Sequence, residues 1–297
     1  MDGACAGDPS RKMKRVALIT YAGLLDGGES ERLVLPYLAA AGVEASIVDW
    51  SADCDFTQFN LVILRTCWDY HLRGTEFTGW LQRTAQTVPM LNDVETVLWN
   101  RNKFYLRELQ ALGIRIAPTV FVRGSEAIQA EEWRQIRSWK KIVVKPAVSA
   151  TAHKTWPFES ATLPSGDELK NKMQGEPFLV QQFIPEIETQ GEISFIYIDG
   201  VYSHAVLKRP AAGDFRVQKD FGGSAESFVP STVQFEQAQA IAAAVKHVGD
   251  SLYCRIDAVE KDGKLVLMEV ELIEPELFLG LGDGAAERFA IAIVRRM

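Results

Sequence analysis

Apolar residues follow two patterns along the chain. RVALIT (15–20), ASIVDW (45–50) and NLVILR (60–65) are short, β-branched runs of the kind that build strands buried on both faces. From Ser30 the pattern becomes helical, with Leu33, Val34, Leu38 and Ala41 on one side, Gly42 at the C-terminal cap and Pro36 as a possible kink. TEFTGWLQRTAQ (75–86) repeats the helical period. Strands alternating with helices predict a doubly wound, mostly parallel sheet over residues 15–98.

The order then changes. NRNKFYLRELQALG (100–113) reads as one amphipathic helix with Phe104, Leu106, Leu109 and Leu112 as its apolar positions and Gly113 as its stop. PTVFV (118–122) and KIVVK (141–145) read as strands around a helix carrying Trp133, Ile136 and Trp139, and FLVQQFI (178–184) as another strand. From Glu192 the strands pair as hairpins. ISFIYI and VYSHAVLK flank Asp199-Gly200, and YCRIDAVE and KLVLMEVE flank Lys261-Asp262-Gly263. The chain therefore reads as three units: a parallel α/β domain (1–98), a small α+β unit (99–184) and an antiparallel sheet with helices (185–297).

Composition narrows the class. The chain has 297 residues, 47% apolar and 24% charged, with a net charge of −7, the mix of a folded globular protein. An acidic balance argues against a nucleic-acid surface. No apolar run approaches the roughly 18 residues of a membrane span, and the N-terminus, a loose tail over 1–13, has no signal-like apolar core. Cys5, Cys54, Cys67 and Cys254 are scattered, which fits reduced thiols and a cytoplasmic location.

The chemistry concentrates in 255–276, RIDAVEKDGKLVLMEVELIEPE. Strict alternation points Leu265, Leu267, Glu269 and Glu271 one way and Val266, Met268 and Val270 the other. A three-residue loop at Lys261-Asp262-Gly263 would turn Asp257 to the same face as Glu269, and a two-residue loop to the opposite one. Three carboxylates on one strand pair suit Mg²⁺ or Mn²⁺ held together with phosphates. The plainer reading has them meet Arg255 or solvent. Lys145 ends an apolar strand beside a loop of small residues, where it either reaches a phosphate or snorkels to water. Lys103 falls in a helix's first turn, opposing the dipole. Arg209 and Arg216 follow the first hairpin, as anion clamps or surface partners. GLGDGA (280–285) has the form of a dinucleotide fingerprint, but the acid expected about 20 residues later has no room before Met297. No G-x-x-x-x-G-K-[ST] occurs, and His71, His153, His204 and His247 make no zinc spacing.

Taken in order, NKFYLRELQALGIRIAPT, VVKP, FLVQQFIPEIETQGEISFIYIDG, KRPAAGDFRVQKDFGG and RIDAVE…LVLMEVELIEP resemble the ATP-grasp superfamily of carboxylate–amine ligases, most closely its glutathione synthetase-like branch. The resemblance implies an ATP-grasp fold with a pre-ATP-grasp domain, a central ATP-binding lid domain and a catalytic domain. It implies Lys103 and Lys145 on ATP phosphates, the main chain of Gln182, Phe183 and Ile184 on adenine, and Glu192 on the ribose. It implies Asp257, Glu269 and Glu271 as magnesium or manganese ligands, and Arg209, Arg216 and Arg255 on acyl phosphate and substrate carboxylate. The third metal position is commonly Asn in this superfamily and is Glu271 here. The phosphate-covering loop, usually glycine-rich, is AVSATAHKT. ELIEP and WDY (68–70) resemble small standalone members of natural-product pathways, cycloserine-forming cyclo-ligases among them.

The activity so implied is ATP-driven activation of a carboxylate as an acyl phosphate, its attack by an amine to give an amide or a ring, and release of ADP and phosphate. Its partners would be amino-acid-like small molecules, without nucleic acid or membrane, and a homodimer is compatible with it. Two alternatives remain at this point: an ATP-grasp shell that binds nucleotide without catalysis, favoured by the glycine-free loop, and an NAD-dependent dehydrogenase, favoured only by GLGDGA.

Overall fold

A computed structural model describes residues 13–124 and 126–297. Cys5 and most of the N-terminal tail lie outside the described residues.

The apolar runs of the first third form a four-stranded, all-parallel sheet. It comprises β1 (Lys14–Thr20), β2 (Val43–Asp49), β3 (Leu61–Leu64) and β4 (Met90–Leu91), in the order β2-β1-β3-β4. Helix α1 (Glu29–Ala40) packs on one face and α2 (Gly74–Ala85) with α3 (Val94–Arg101) on the other. Pro36 lies inside α1, and Leu33 is exposed.

The predicted helix over 100–113 is broken. α3 stops at Arg101, and α4 (Tyr105–Ala111) starts after a turn at 102–104. Asn102 causes the break: its side chain accepts the Phe104 N–H (3.0 Å), and the next residue, Lys103, sends its own N–H to the Ala147 carbonyl (2.8 Å). Lys103 therefore sits in an inter-helix turn and not in the first turn of a helix.

A second, antiparallel sheet contains β5 (Thr119–Val122), β6 (Lys141–Pro146), β7 (Trp156–Glu159) and β8 (Phe178–Gln182), in the order β5-β8-β6-β7. Ile136 of α5 (Ala130–Ser138) and Leu169 of α6 (Gly166–Lys172) fill its core against Val144 and Val180. The short α7 (Glu186–Thr189) leads into the third sheet.

The third sheet is antiparallel, with β9 (Glu192–Ile198), β10 (Val201–Arg209), β11 (Ser224–Phe228), β12 (Tyr253–Lys261) and β13 (Lys264–Glu271) in the order β11-β10-β9-β12-β13. One face, with Phe195, Tyr197, Leu207 and Ile256, packs on α8 (Thr232–Val245) through Ala238, Ile241 and Val245. The other face is apolar at one end only. There Ile196, Ile198 and Val206 pack on Val34 and Leu38 of α1 and on Phe289 and Ile293 of α9 (Ala285–Arg296). GLGDGA forms the entry to α9, with Gly284 at its N-cap.

Both hairpin turns have two residues. Asp199-Gly200 (φ 51° and 73°) and Asp262-Gly263 (φ 55° and 70°) occupy the left-handed region that such turns require. The second loop is thus shorter than the three residues considered above. A bulge restores the register: Ala258 pairs with Leu267, but Asp257 pairs with Glu269, leaving Met268 without a partner. The bulge also overturns strict alternation. Leu265 and Leu267 join the core under α8, and beyond the bulge so do Val270 and Leu272, which turns Glu269 and Glu271 to the opposite face.

Asn92 locks the parallel sheet to the third. Fully buried, it donates to Tyr253 O (2.9 Å) and Leu272 O (2.8 Å) and accepts from Leu252 N (2.7 Å). Asn92→Ala strands these main-chain groups away from water. It should lower unfolding free energy by on the order of 3 kcal/mol, read from urea denaturation. A loss under about 1 kcal/mol would show that the joint lies elsewhere.

Candidate active site

A cavity of about 770 Å³ opens where the three sheets meet. Its floor is the charged end of the third sheet, in line with the apolar end that packs on α1 and α9. On that floor Lys208 of β10 reaches Glu192 (2.5 Å) and Asp257 (3.1 Å). Asp257 also accepts from Ser194 Oγ (2.5 Å) and from Arg255, whose guanidinium is 2.9 Å away and also bonds Glu271. The result is a row of alternating charge across four strands: Glu192, Lys208, Asp257, Arg255, Glu271.

Burial and neighbours set the protonation of this row. Burial would raise the Asp257 carboxyl, but Arg255 and Lys208 outweigh it and hold the group well below the usual carboxylate range. Burial would lower Lys208, and Asp257 and Glu192 raise it instead. Glu271 bonds Arg255, but burial with the charges of Asp257 and Glu269 outweighs Arg255 and Lys208 and pushes it up to about 7.

The side wall comes from the turn before α4. Tyr105 and Asn100 complete the open edge of β13: Tyr105 Oη accepts the Val270 N–H (2.8 Å), and Asn100 accepts the Leu272 N–H (2.8 Å). This docking brings Lys103 Nζ to 2.9 Å from Glu269 and 2.6 Å from Ser149 O. Lys145 projects from β6 into the same cavity. Burial lowers its pKa, and among the described residues no carboxylate lies within the 4.0 Å of an ion pair.

One end of the cavity is an apolar slot between the second and third sheets, lined by Val143, Phe183, Ile184, Phe215, Val217 and Met268. The Gln182 and Phe183 N–H groups are already used, on Pro118 O (2.8 Å) and Lys141 O (2.9 Å). Of the three expected adenine contacts, the Ile184 N–H is the amide left without a main-chain acceptor among the described residues. Arg216 lines the rim, paired in two-pronged fashion with Asp214 (2.7 Å) and stacked 3.6 Å over Phe221.

Two expected positions fall outside the cavity. Arg209 is exposed at the end of β10, 3.5 Å from Glu226, while its neighbour Lys208 faces inward. A register shift between Tyr202 and His204 sets that parity, so Lys208 is the cavity-lining cation that local reading missed. Asp257 is buried beneath the floor, its oxygens taken up by Arg255, Lys208 and Ser194. Among the described residues no three acids, histidines or cysteines form a ready metal cage. Glu269 and Glu271 remain as two carboxylates open to the cavity; against burial, Lys103 and Lys145 hold Glu269 low, whereas burial and its acidic neighbours push Glu271 up. That donor set fits a hard divalent cation completed by phosphates, the usual manner of Mg²⁺.

The glycine-free loop achieves its turns without glycine: Thr151, Ala152 and Lys154 all have φ near +50° (49°, 55° and 51°). It brings the His153 ring to 5.1 Å from that of His71.

These three sheets, with a charged floor and an apolar slot, define an ATP-grasp ligase. Residues 103–279 match the ATP-grasp domain of prokaryotic glutathione synthetase, more than half of the chain, and the protein belongs to this family. It is an ADP-forming carboxylate–amine ligase, of a class that uses ATP with a divalent metal. Residues 16–92 match the N-terminal domain of D-cycloserine synthetase DcsG. The cycloserine biosynthesis protein DcsG of Streptomyces lavendulae is 28% identical over 302 residues, spanning 95% of this chain and 98% of that one. Glutathione synthetase of Bradyrhizobium diazoefficiens is 24% identical over 220 residues, 73% of this chain and 66% of that one. The crystal structure of DcsG superposes with a TM-score of 0.85 at 25% identity, covering 95% and 99% of the two chains. D-alanine–D-alanine ligase from Bacillus anthracis shares the fold, with a TM-score of 0.68 at 17% identity over 95% and 96% of the chains.

A titration follows from His71. Burial, then His153 and Lys103, lower its pKa from 6.5 to about 4. The unfolded chain protonates this imidazole below about pH 6.5, and the folded chain resists until about pH 4. Stability from this group is therefore full above pH 6.5 and lost as pH falls to about 4, by at most about 3 kcal/mol. His71→Asn should flatten the acid limb of a denaturation series over that window; an unchanged slope would show that His71 titrates normally.

Proposed function

We propose that this ligase closes a ring within one molecule: it phosphorylates the carboxylate of an O-substituted serine, and a nitrogen of the same molecule displaces the phosphate. The substrate class is that of a cycloserine-forming cyclo-ligase acting on O-ureidoserine. The single observation that carries it is the likeness to DcsG over nearly the full length of both chains, in the N-terminal domain as well as the ATP-grasp domain.

The residues divide the work by charge. The apolar slot takes adenine, with the Ile184 N–H and the Gln182 side chain on its edge, and Glu192 takes the ribose. Lys145, a buried cavity cation with no carboxylate within ion-pair distance among the described residues, meets the ATP phosphates, and Lys103 joins it when Glu269 turns to metal. Glu269 and Glu271 hold magnesium or manganese, which draws charge from the phosphoryl group in transfer. Asp257 anchors Arg255, and Arg255 and Arg216 face the acyl phosphate and substrate carboxylate. Arg209 has no part in this scheme. Phosphoryl transfer asks mainly for placement and neutralisation of charge, and the fixed ion-pair row offers both before substrate arrives. Left-handed turns at Thr151, Ala152 and Lys154 give the loop a fixed path without glycine, so a decayed lid is not needed to explain its composition.

Lys145→Ala should weaken ATP binding about ten- to over a hundred-fold, the worth of a hydrogen bond to a charged group. An unchanged dissociation constant by calorimetry would return Lys145 to the surface class. The mechanism itself is tested by labelling the substrate carboxylate with heavy oxygen. One label should appear in released orthophosphate alongside ADP. Unlabelled phosphate, or AMP and pyrophosphate, would rule out an acyl phosphate.

A further inference from the structure

The cavity contains a half-buried carboxylate that the chemistry above leaves unused and that no side chain or main-chain donor holds among the described residues. Glu192 is held by Lys208 (2.5 Å), Glu269 by Lys103 (2.9 Å), Glu271 by Arg255, and Glu276 by Ser30 Oγ and the Phe278 N–H (2.8 Å). Glu29 and Asp220 stand exposed at the rim. Glu274 is half-buried and lines the cavity, and among the described residues its carboxylate has neither a cation within 4.0 Å nor, unlike Glu276, a hydrogen-bond donor.

Its position is fixed by the main chain that follows its side chain. Trp68 Nε1 donates to Glu274 O (3.0 Å), and Arg65 Nη2 donates to Pro275 O (3.1 Å). The WDY segment and the ELIEP segment are thus one structural unit, and both line the cavity on the side of the parallel sheet, through Trp68, Tyr70 and Glu274. Burial, then the charges of Glu271 and Glu269, push the Glu274 carboxyl well above the usual carboxylate range, a penalty that an arriving cation would relieve. The surroundings repel a second anion, because Glu271 and Glu269 add negative charge and the nearby cations, Lys103 and Arg255, are already paired. A carboxylate without a partner beside two aromatic side chains is the chemistry that recognises an organic ammonium.

We propose that Glu274, walled by Trp68 and Tyr70, is the subsite for the substrate's cationic amino group, which makes the activated carboxylate that of an amino acid. This rests on the ligase reading of the cavity but not on ring closure. Glu274 is a specificity residue: it orients the substrate so that its carboxylate lies toward Arg255 and the phosphates.

The test measures ADP release by wild-type enzyme and Glu274→Gln. The substrates are O-ureidoserine and 3-(ureidooxy)propanoate, the same molecule without its amino group, together with serine against glycerate and alanine against lactate. Wild type should favour the amino member of a pair. In Glu274→Gln its KM should rise roughly ten- to a hundred-fold, the scale of one hydrogen bond to a charged group. The preference should collapse while calorimetric Mg·ATP affinity holds. Glu274→Asp, which keeps the charge, should retain the preference and serves if the Gln variant fails to fold. If O-ureidoserine is inert while another amino acid is turned over, ring closure fails and the amino-against-hydroxy comparison still decides the subsite. The proposal is overturned if hydroxy acids serve as well in wild type, if no amino acid in the panel is turned over, or if the preference survives Glu274→Gln.

Discussion

Met268 occupies β13 without a partner on β12, and the direction of two carboxylates depends on it. Without the bulge, Glu269 and Glu271 would follow Leu265 and Leu267 into the apolar core beneath α8. Burying two such charges unpaired costs far more than a folded domain can spare. With the bulge, the leucines stay in the core and the acids swing to the cavity face, opposite Asp257 and Arg255. Met268 packs with Val266 on the floor of the apolar slot. One inserted residue thus aligns the apolar slot with the acids that flank it.

The ion-pair row across the floor explains why this face is fixed before any ligand arrives. Buried pairs add little net stability, because desolvation offsets their attraction, but losing one partner leaves its neighbour uncompensated. Each member of Glu192, Lys208, Asp257, Arg255 and Glu271 lies beside a charge of opposite sign, so the row tolerates only one arrangement. The excess sits at the Glu271 end, where the carboxyl is pushed up to about 7. The floor is therefore neutral on one side and short of a cation on the other, an asymmetry that suits a divalent ion bound with phosphate.

Much of this was legible in the residues. β-branched runs mark the parallel strands, Asp-Gly marks both hairpins, and five ordered segments carry the family likeness. What escaped depends on parity and on contacts distant in sequence. Lys208 and Arg209 are adjacent cations, and only a register shift near Ser203 decides which faces inward. Asp257 has the right residue type and the right face, but its burial beneath Arg255 and Lys208 is set by three strands together. The break at Asn102 follows from one side-chain hydrogen bond that helical periodicity does not register. Glycine is the usual mark of a left-handed turn, and a loop that turns at Thr151, Ala152 and Lys154 carries no such mark.

The segment after β13 ties these features into one device. Tyr253 Oη shares its proton between Leu64 O (2.5 Å) and Ile273 O (2.8 Å), Trp68 holds Glu274 O, Arg65 holds Pro275 O, and Arg255 Nη1 holds Glu276 O (3.0 Å). Four successive carbonyls are thus gripped by side chains from the parallel sheet and from β12. Arg65 is itself buried against Glu31 of α1 at 2.9 Å and lies over the Tyr253 and Phe289 rings (4.9 and 5.4 Å). Its guanidinium joins the N-terminal sheet, α9 and the strand that bears Glu269 and Glu271. Two of the gripped carbonyls belong to glutamates that line the cavity, and Arg255, which grips the fourth, also bonds Glu271. Any shift of the N-terminal sheet would therefore pull on the same strand end that carries the acids. In a ligase that must hold two reacting groups in line, such a rigid coupling replaces entropy lost at each encounter with order built in by folding.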